Sequence, residues 1–366
     1  MVNPEQPGHG NALSVFPAGT SAPINIQDQA QDLGKAPDTG KFPLVSIITP
    51  AYNRASLLDE TIQSVLSQDY PKVEYIVFDD GSTDETLSVI KKYEGRLRWE
   101  THDNIGETRT VNKGFSLAQG DIIGVVNSDD PLLPGAISTM VARMRAEPDL
   151  LVVYPDWQMI DAEGAVIQQI ATSDYSYVDM LRWFHCMPGP GALFRRAVVE
   201  QLGGRTPKYR YVADFEFWLR AGLLGPFARV PQALATFRTH PGSATTSQRG
   251  AAMAEEYAQL VEEICSRPDL PAAVQKIRRE AYSSAYYYAG YVCGDNAPAV
   301  LKKKYYLLAL CYAPSKYLTE HRHRLATLLP PLLGRLYTPL RTFNKLAATL
   351  RGHAIRERQR GIVRSK

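Results

Sequence analysis

The sequence predicts an α/β protein with a mostly parallel sheet covered by helices on both faces. A mostly helical C-terminal region follows it. Three observations carry that prediction. Short β-branched apolar runs alternate with amphipathic runs over residues 45–126. Each apolar run ends in a polar cluster, at 49–53, 79–84 and 127–130. From Ala251 onward the pattern is helical almost throughout.

Residues 1–42 are rich in Gly, Pro, Gln, Asp and Ser and show no apolar period. They bury too little surface to offset their ordering entropy, so they read as a disordered leader. Val45-Ser46-Ile47-Ile48-Thr49 reads as a buried strand stopped by Pro50. Ser56, with Asp59 three residues later, opens a helix through Leu58, Ile62, Val65 and Leu66. Tyr75-Ile76-Val77-Phe78 forms the next strand, and Ser82 with Glu85 opens a second helix through Leu87 and Ile90. A helix over 107–118 stops at Gly120, ahead of a strand at 121–126. Asp161-Ala162-Glu163-Gly164 reads as a hairpin turn, and 212–223 as a helix. The predicted domains are 43–250 and 251–366. Ligands of such sheets bind beyond the carboxyl ends of the strands, so the three polar clusters converge on one rim.

Of the 366 residues, 45% are hydrophobic and 22% charged, ordinary values for a soluble chain. No apolar run approaches the roughly 20 residues that span a bilayer, and no secretory signal is visible. The four cysteines include no Cys-x-x-Cys pair, which excludes a zinc ribbon or disulfide scaffold and favours a reducing compartment. These readings point to a cytoplasmic protein. From Lys316 to Lys366, 12 Lys/Arg face two acids, which leaves the first 315 residues at −7. That mildly acidic body is not a general nucleic-acid binder, whereas the basic tail suits an anionic surface. Leu332, Leu336, Leu340, Phe343, Leu346 and Leu350 recur at helical steps, with Arg335, Arg341 and Lys345 opposite and Pro339 as a kink. Such a segment either lies on an anionic membrane leaflet or packs on the body with its charged side in water.

Asp129 and Asp130 follow an apolar strand and precede Pro131, so their side chains sit on a loop. Paired carboxylates there mean either a solvated turn or a site for a hard cation such as Mg²⁺ or Mn²⁺, which often shares substrate phosphates. Asp79-Asp80-Gly81-Ser82-Thr83-Asp84 is either a strand end, turn and cap, or a nucleoside cradle that Gly81 lets a ligand approach.

The ordered set 45–53, 79–84, Asn112-Lys113-Gly114, 120–123 and 127–130 resembles the opening of family 2 inverting glycosyltransferases. Residues 191–196, Gly203-Gly204, 214–220 and Phe237-Arg238-Thr239-His240 continue the resemblance, which covers about 200 of the residues. It implies a GT-A fold, in which a Rossmann-like nucleotide-binding half merges into an acceptor-binding half. It also implies a nucleotide-sugar donor, most readily UDP-linked, and Mn²⁺ or Mg²⁺. Inversion would occur in one step, onto a saccharide or polyprenyl-linked acceptor.

Carried over by residue, the donor contacts are Pro50, Tyr52, Asn53, Asp79, Asp80, Arg109, Asn112, Asn127, Ser128 and Asp129. Asn127 stands where the family's motif has its first acid, and Val111 where an arginine often precedes the asparagine. The metal ligands are Asp129, with Asp130 as second candidate, and His240, which meets either the metal or the diphosphate. Asp214 matches the catalytic base. Glu216 is the alternative base, or a solvated helix acid. Arg238 faces either the diphosphate or the surface, and Gly189-Pro190-Gly191 shapes a donor-sugar or acceptor pocket. The Gln-x-x-Arg-Trp signature of processive synthases is missing, which implies one sugar per encounter. The rival readings are a nucleotidyltransferase and a catalytically silent scaffold.

Overall fold

The computed structural model describes residues 42–243, 249–294 and 296–321. The leader and the amphipathic segment at 332–350 lie outside them. The described residues form two compact units: 42–181 with 185–243, and 182–184 with the residues from 249 onward.

The first unit is a mixed eight-stranded sheet with helices on its faces. Its strands are β1 (Val45–Ala51), β2 (Val73–Asp79), β3 (Arg98–Thr101), β4 (Ile122–Val125), β5 (Val152–Ile160), β6 (Val166–Ile170), β7 (Leu193–Arg195) and β8 (Phe227–Arg238). They run in the order β3-β2-β1-β4-β7-β5-β6, with β8 beside β5. The first four are parallel, β7 is antiparallel to β4 and β5, and β8 is parallel to β5. The helices are α1 (Leu58–Leu66), α2 (Thr86–Lys91), α3 (Glu107–Leu117), α4 (Ala136–Ala146), α5 (Tyr177–Arg182), α6 (Arg196–Leu202) and α7 (Ala213–Ala221).

All seven residues of β1 are buried, as expected for a strand covered on both faces. Its polar members find partners: the Ser46 hydroxyl bonds Glu74 and accepts from the Gly120 N–H, and Thr49 pairs with the Tyr75 hydroxyl. On one face Ile47, Val77, Ile62 and Met140 belong to a continuous core. On α7, Phe217 and Trp218 pack ring against ring with Phe115 and Phe194.

Local readings differ from the structure in three places. Strand β1 runs through Pro50 to Ala51; β4 pairs only with 45–48, so Pro50 lies where one side of the ladder has ended. Neither expected capping box forms. The N–H groups of Leu57 and Leu58 bond the Arg54 carbonyl instead, and Asp84 receives the Thr86 N–H at the start of α2. Strand β3 was not anticipated, because Arg98-Trp99-Glu100-Thr101 is a short, half-exposed edge without an apolar period. The 161–164 turn is as expected: the Asp161 carboxylate accepts the N–H groups of Glu163 and Ala165, and Gly164 takes φ 89°.

The second unit contains α8 (Ala251–Ser266), α9 (Ala272–Val292), α10 (Ala299–Tyr312) and α11 (Pro314–Glu320). Its tyrosines are amphipathic core residues. Tyr282 and Tyr286 donate to Glu262, Tyr305 donates to Glu255, and the Tyr282 ring stacks on Tyr312 at 4.6 Å. Among the described residues no helix is long and apolar enough to cross a membrane.

Candidate active site

The ends of β1, β2 and β4 bring the three polar clusters to one rim of the sheet. At the end of β2, Asp80 is 3% exposed, and its two oxygens accept the N–H groups of Ile105 and Gly106 at 2.7 and 3.0 Å. His102 Nδ1 lies 3.4 Å from the same carboxylate. Asp79 accepts from the Ser82 N–H at 3.1 Å and the Thr101 hydroxyl at 2.8 Å. These carboxylates, expected as donor contacts, accept bonds from the neighbouring loops. Gly81 holds φ 72°, and a Cβ there would stand 2.6 Å from the Asn104 nitrogen.

At the end of β1, Tyr52 is 46% exposed and presents an aromatic ring at the rim. Asn53, with φ 51°, ties this loop to the next. Its N–H donates to the Ser82 hydroxyl, and its side-chain oxygen accepts the Thr83 N–H at 2.8 Å. Pro50 is buried within β1. Arg54, which the sequence reading passed over, donates to the carbonyls of Asn53 and Gly242 at 3.1 Å each. Its Nε lies 3.4 Å from Asp129 Oδ2. The only sequence signal was a basic residue beside a strand end, which ordinarily reads as a solvated charge.

At the end of β4 the two aspartates separate. Asp129 Oδ2 lies 2.9 Å from His240 Nε2, while His240 Nδ1 receives the Gly242 N–H at 3.2 Å. Asp130 is 4% exposed; its oxygens accept the Arg238 N–H at 2.8 Å and the Asn127 amide at 3.0 Å. Burial, then the charge of Asp129, pushes its carboxyl up to about 8. Asp130, expected as the second metal ligand, thus has each oxygen on a protein donor. Arg238 faces neither diphosphate nor surface. It is 2% exposed and donates to the Asp129, Asp161 and Ala162 carbonyls and to Glu60. Asn127 is exposed, and the Ser128 carbonyl accepts from Thr61.

Asp214 is the exposed residue in the otherwise buried first turn of α7, with one oxygen on the Phe215 N–H at 2.7 Å. Glu216 is not a solvated acid: it is 1% exposed and bonds Arg220 at 2.5 and 2.8 Å. Asn112, expected as a donor contact, is tied to Arg205. Its amide donates to the Arg205 carbonyl and its oxygen accepts the Arg205 N–H. Arg109 is exposed and reaches the Ile105 carbonyl at 3.4 Å.

Glu107 opens α3 and lies 3.5 Å from Arg205. Burial raises its carboxyl pKa, opposed by Arg205 and reinforced by Asp214 and Asp129, with Arg54 also in range. Solvent screens that push, since 58% of the side chain is exposed. All four charges nevertheless lie within electrostatic reach of one carboxylate.

Among the described residues no group of three or more His, Cys, Asp or Glu forms a closed metal cage. Asp129 and His240 are two convergent donors, 14% and 11% exposed. Such a pair fits a hard divalent cation that takes the rest of its shell from substrate phosphates and water.

Residues 46–203 match the sequence model of Glycosyl transferase family 2. The chain is 35% identical to chondroitin synthase of Pasteurella multocida over 193 residues, 51% of this chain and 20% of that one. It is 36% identical to a Campylobacter jejuni GalNAc(5)-diNAcBac-PP-undecaprenol beta-1,3-glucosyltransferase over 107 residues, 28% of this chain and 35% of that one. It is 29% identical to the O-antigen biosynthesis protein RfbC of Myxococcus xanthus over 223 residues, 58% of this chain and 17% of that one. The chain thus spans well under half the length of each of these relatives.

Two solved structures share the fold. Residues 1–349 of S. aureus TarS, in complex with UDP-GlcNAc, superpose with a TM-score of 0.54 at 17% identity, covering 77% of this chain and 92% of that one. The mannosyltransferase PcManGT of Pyrobaculum calidifontis, in complex with GDP-Man and Mn²⁺, gives 0.52 at 19% identity, covering 86% of each. These likenesses show the GT-A fold.

Proposed function

We propose that the protein is a metal-dependent inverting glycosyltransferase. It moves one sugar from a nucleotide-sugar, UDP-linked in the first instance, to a saccharide or polyprenyl-linked saccharide acceptor. The observation that supports this reading is the rim of the sheet, where Asp129 Oδ2 lies 2.9 Å from His240 Nε2 and 3.4 Å from Arg54 Nε.

In this reading the Tyr52 ring offers a face to the nucleobase, and the Asp80-anchored turn at Ile105 and Gly106 walls the nucleoside. Asp129 and His240 hold Mn²⁺ or Mg²⁺, which when bound neutralises charge developing on the leaving diphosphate. Arg54 adds a fixed positive charge at the same corner. Asp214 takes the proton from the acceptor hydroxyl as that oxygen bonds the anomeric carbon. The bond to the diphosphate breaks on the opposite face, and the nucleoside diphosphate leaves with the electron pair. One displacement inverts the anomeric centre, and a positioned carboxylate contributes about 10²–10⁴-fold in such a step.

Transfer of one sugar per encounter is supported by the missing Gln-x-x-Arg-Trp signature. A lipid-linked acceptor is supported by the name of the Campylobacter relative and by the net +10 of residues 316–366, which suits an anionic inner leaflet. Incubation with a panel of nucleotide-sugars and Mn²⁺ tests the proposal: slow metal-dependent release of nucleoside diphosphate is the expected result. Pyrophosphate release would indicate a nucleotidyltransferase instead. Absence of hydrolysis, transfer and nucleotide binding would leave a scaffold.

A further inference from the structure

We infer that the cavity lined by Trp157 receives an uncharged sugar ring stacked on that indole, so that the acceptor of the proposed reaction carries a neutral saccharide unit. This inference rests on the proposed transferase reading and adds the chemical class of the acceptor.

The cavity measures about 280 Å³ and lies between the 168–173 segment, which includes the end of β6, and the loop at 185–189. That is the small end of ligand pockets, a size suited to one or two sugar rings. Trp157 is half-buried, and its indole is fixed from behind by Phe237, with ring centroids 5.6 Å apart. Gly189 closes over the indole edge; a Cβ there would stand 3.0 Å from the indole nitrogen. No hydrogen bond engages the indole N–H or the exposed Gln169 amide among the described residues. A fixed aromatic face with free amide and N–H groups around it matches a sugar ring, apolar on its face and hydroxylated at its edge.

The wall of the cavity is built rather than incidental. Asp156 accepts the Thr172 N–H and hydroxyl at 2.9 and 2.7 Å, and is itself clamped by Arg229 at 2.8 and 2.7 Å. The Tyr154 hydroxyl donates to the Ser173 carbonyl at 2.8 Å. A wall held in this way loses little freedom when a ligand binds.

Charge decides the class of sugar. The lining residues include no carboxylate, lysine or arginine. Its histidine, His185, is kept neutral, since burial lowers its pKa to about 4. The Asp156–Arg229 charges behind the wall cancel each other. A uronate or sugar phosphate entering here would lose water without meeting a cation, which is costly, whereas hydroxyl groups would meet amides. The position fits an acceptor: the Cys186 thiol in the lining lies within electrostatic reach of Asp214 and Arg205.

Saturation-transfer NMR of the full chain with UDP and Mn²⁺ tests this, using N,N′-diacetylchitobiose and lactose against a glucuronate-containing chondroitin disaccharide. The neutral disaccharides should bind and the uronate should bind at least several-fold more weakly. Trp157→Ala should weaken neutral binding roughly tenfold, the scale of a lost stacking contact, and Trp157→Phe should recover most of it. Gln169→Ala, at an exposed position, should weaken it a few-fold without affecting folding, while UDP affinity stays unchanged in all three variants. Equal or tighter uronate binding, no neutral binding, or neutral binding indifferent to both Trp157→Ala and Gln169→Ala would overturn the inference. Those outcomes with intact UDP binding sink the inference alone; loss of nucleotide binding by the unaltered protein sinks the transferase reading itself.

Discussion

His240 Nε2 sits 2.9 Å from Asp129 Oδ2, joining the end of β8 to the end of β4 across 111 residues. Two donors of this kind on separate elements hold a cation only if both are present. Asp129→Asn removes the charge and should lower Mn²⁺ affinity in the presence of UDP by about 10–100-fold or more. His240→Ala should fall in the same range. Electron paramagnetic resonance of free Mn²⁺ reads this directly, and unchanged affinity in both variants would assign the metal to other residues.

Arg54 holds the Gly242 carbonyl at 3.1 Å and lies 3.4 Å from Asp129 Oδ2, so it fixes the loop that carries His240. Arg54→Gln should weaken UDP binding by about 1–2 kcal/mol, the worth of a charge-assisted hydrogen bond, read by isothermal titration calorimetry. Arg54→Lys should recover little of it, because a single ammonium cannot replace the planar fork that reaches two carbonyls and a carboxylate at once.

Asp80 accepts two backbone N–H groups from a carboxylate 3% exposed. In Asp80→Asn an amide N–H₂ meets one of those N–H donors, so one of the loop's bonds is lost. The expected cost is about 1–3 kcal/mol of stability with weaker nucleotide binding, and faster protease cutting near Ile105. Chemical denaturation with limited proteolysis measures both.

The sheet and its rim were legible because buried parallel strands leave continuous β-branched runs, as at 45–49 and 75–78, with polar residues gathered at their ends. The antiparallel turn at 161–164 was equally plain from Asp and Gly. Individual side-chain roles were less so. Asp129 and Asp130 are neighbours in the chain, yet one meets His240 and the other the Arg238 N–H, a division set by β8, 108 residues away. Asn112 and Glu216 carry the right chemistry for a site but spend it on Arg205 and Arg220. Arg54 and Glu107 carry nothing distinctive in sequence and owe their importance to what folds around them.

Asp156 gives a pH dependence. Burial acts to raise its pKa, but hydrogen bonds from Arg229 and Thr172 outweigh that and lower it. A carboxylate lowered in the folded state stabilises fully above its unfolded value near 4, and that contribution is lost as pH falls through the folded value. Asp156→Asn should therefore be about 3 kcal/mol less stable than the unaltered protein at pH 7, as expected for one partner removed from a largely buried pair. The difference should shrink below about pH 4, which thermal melts across pH would follow.

The most direct measurement is the pair of constants for Asp214→Asn, transfer rate and UDP affinity. The account predicts that transfer falls by about 10²–10⁴-fold while UDP affinity stays nearly intact, because the amide cannot take the acceptor proton yet leaves the nucleotide loops untouched. Weakened UDP binding with a normal turnover rate would contradict it.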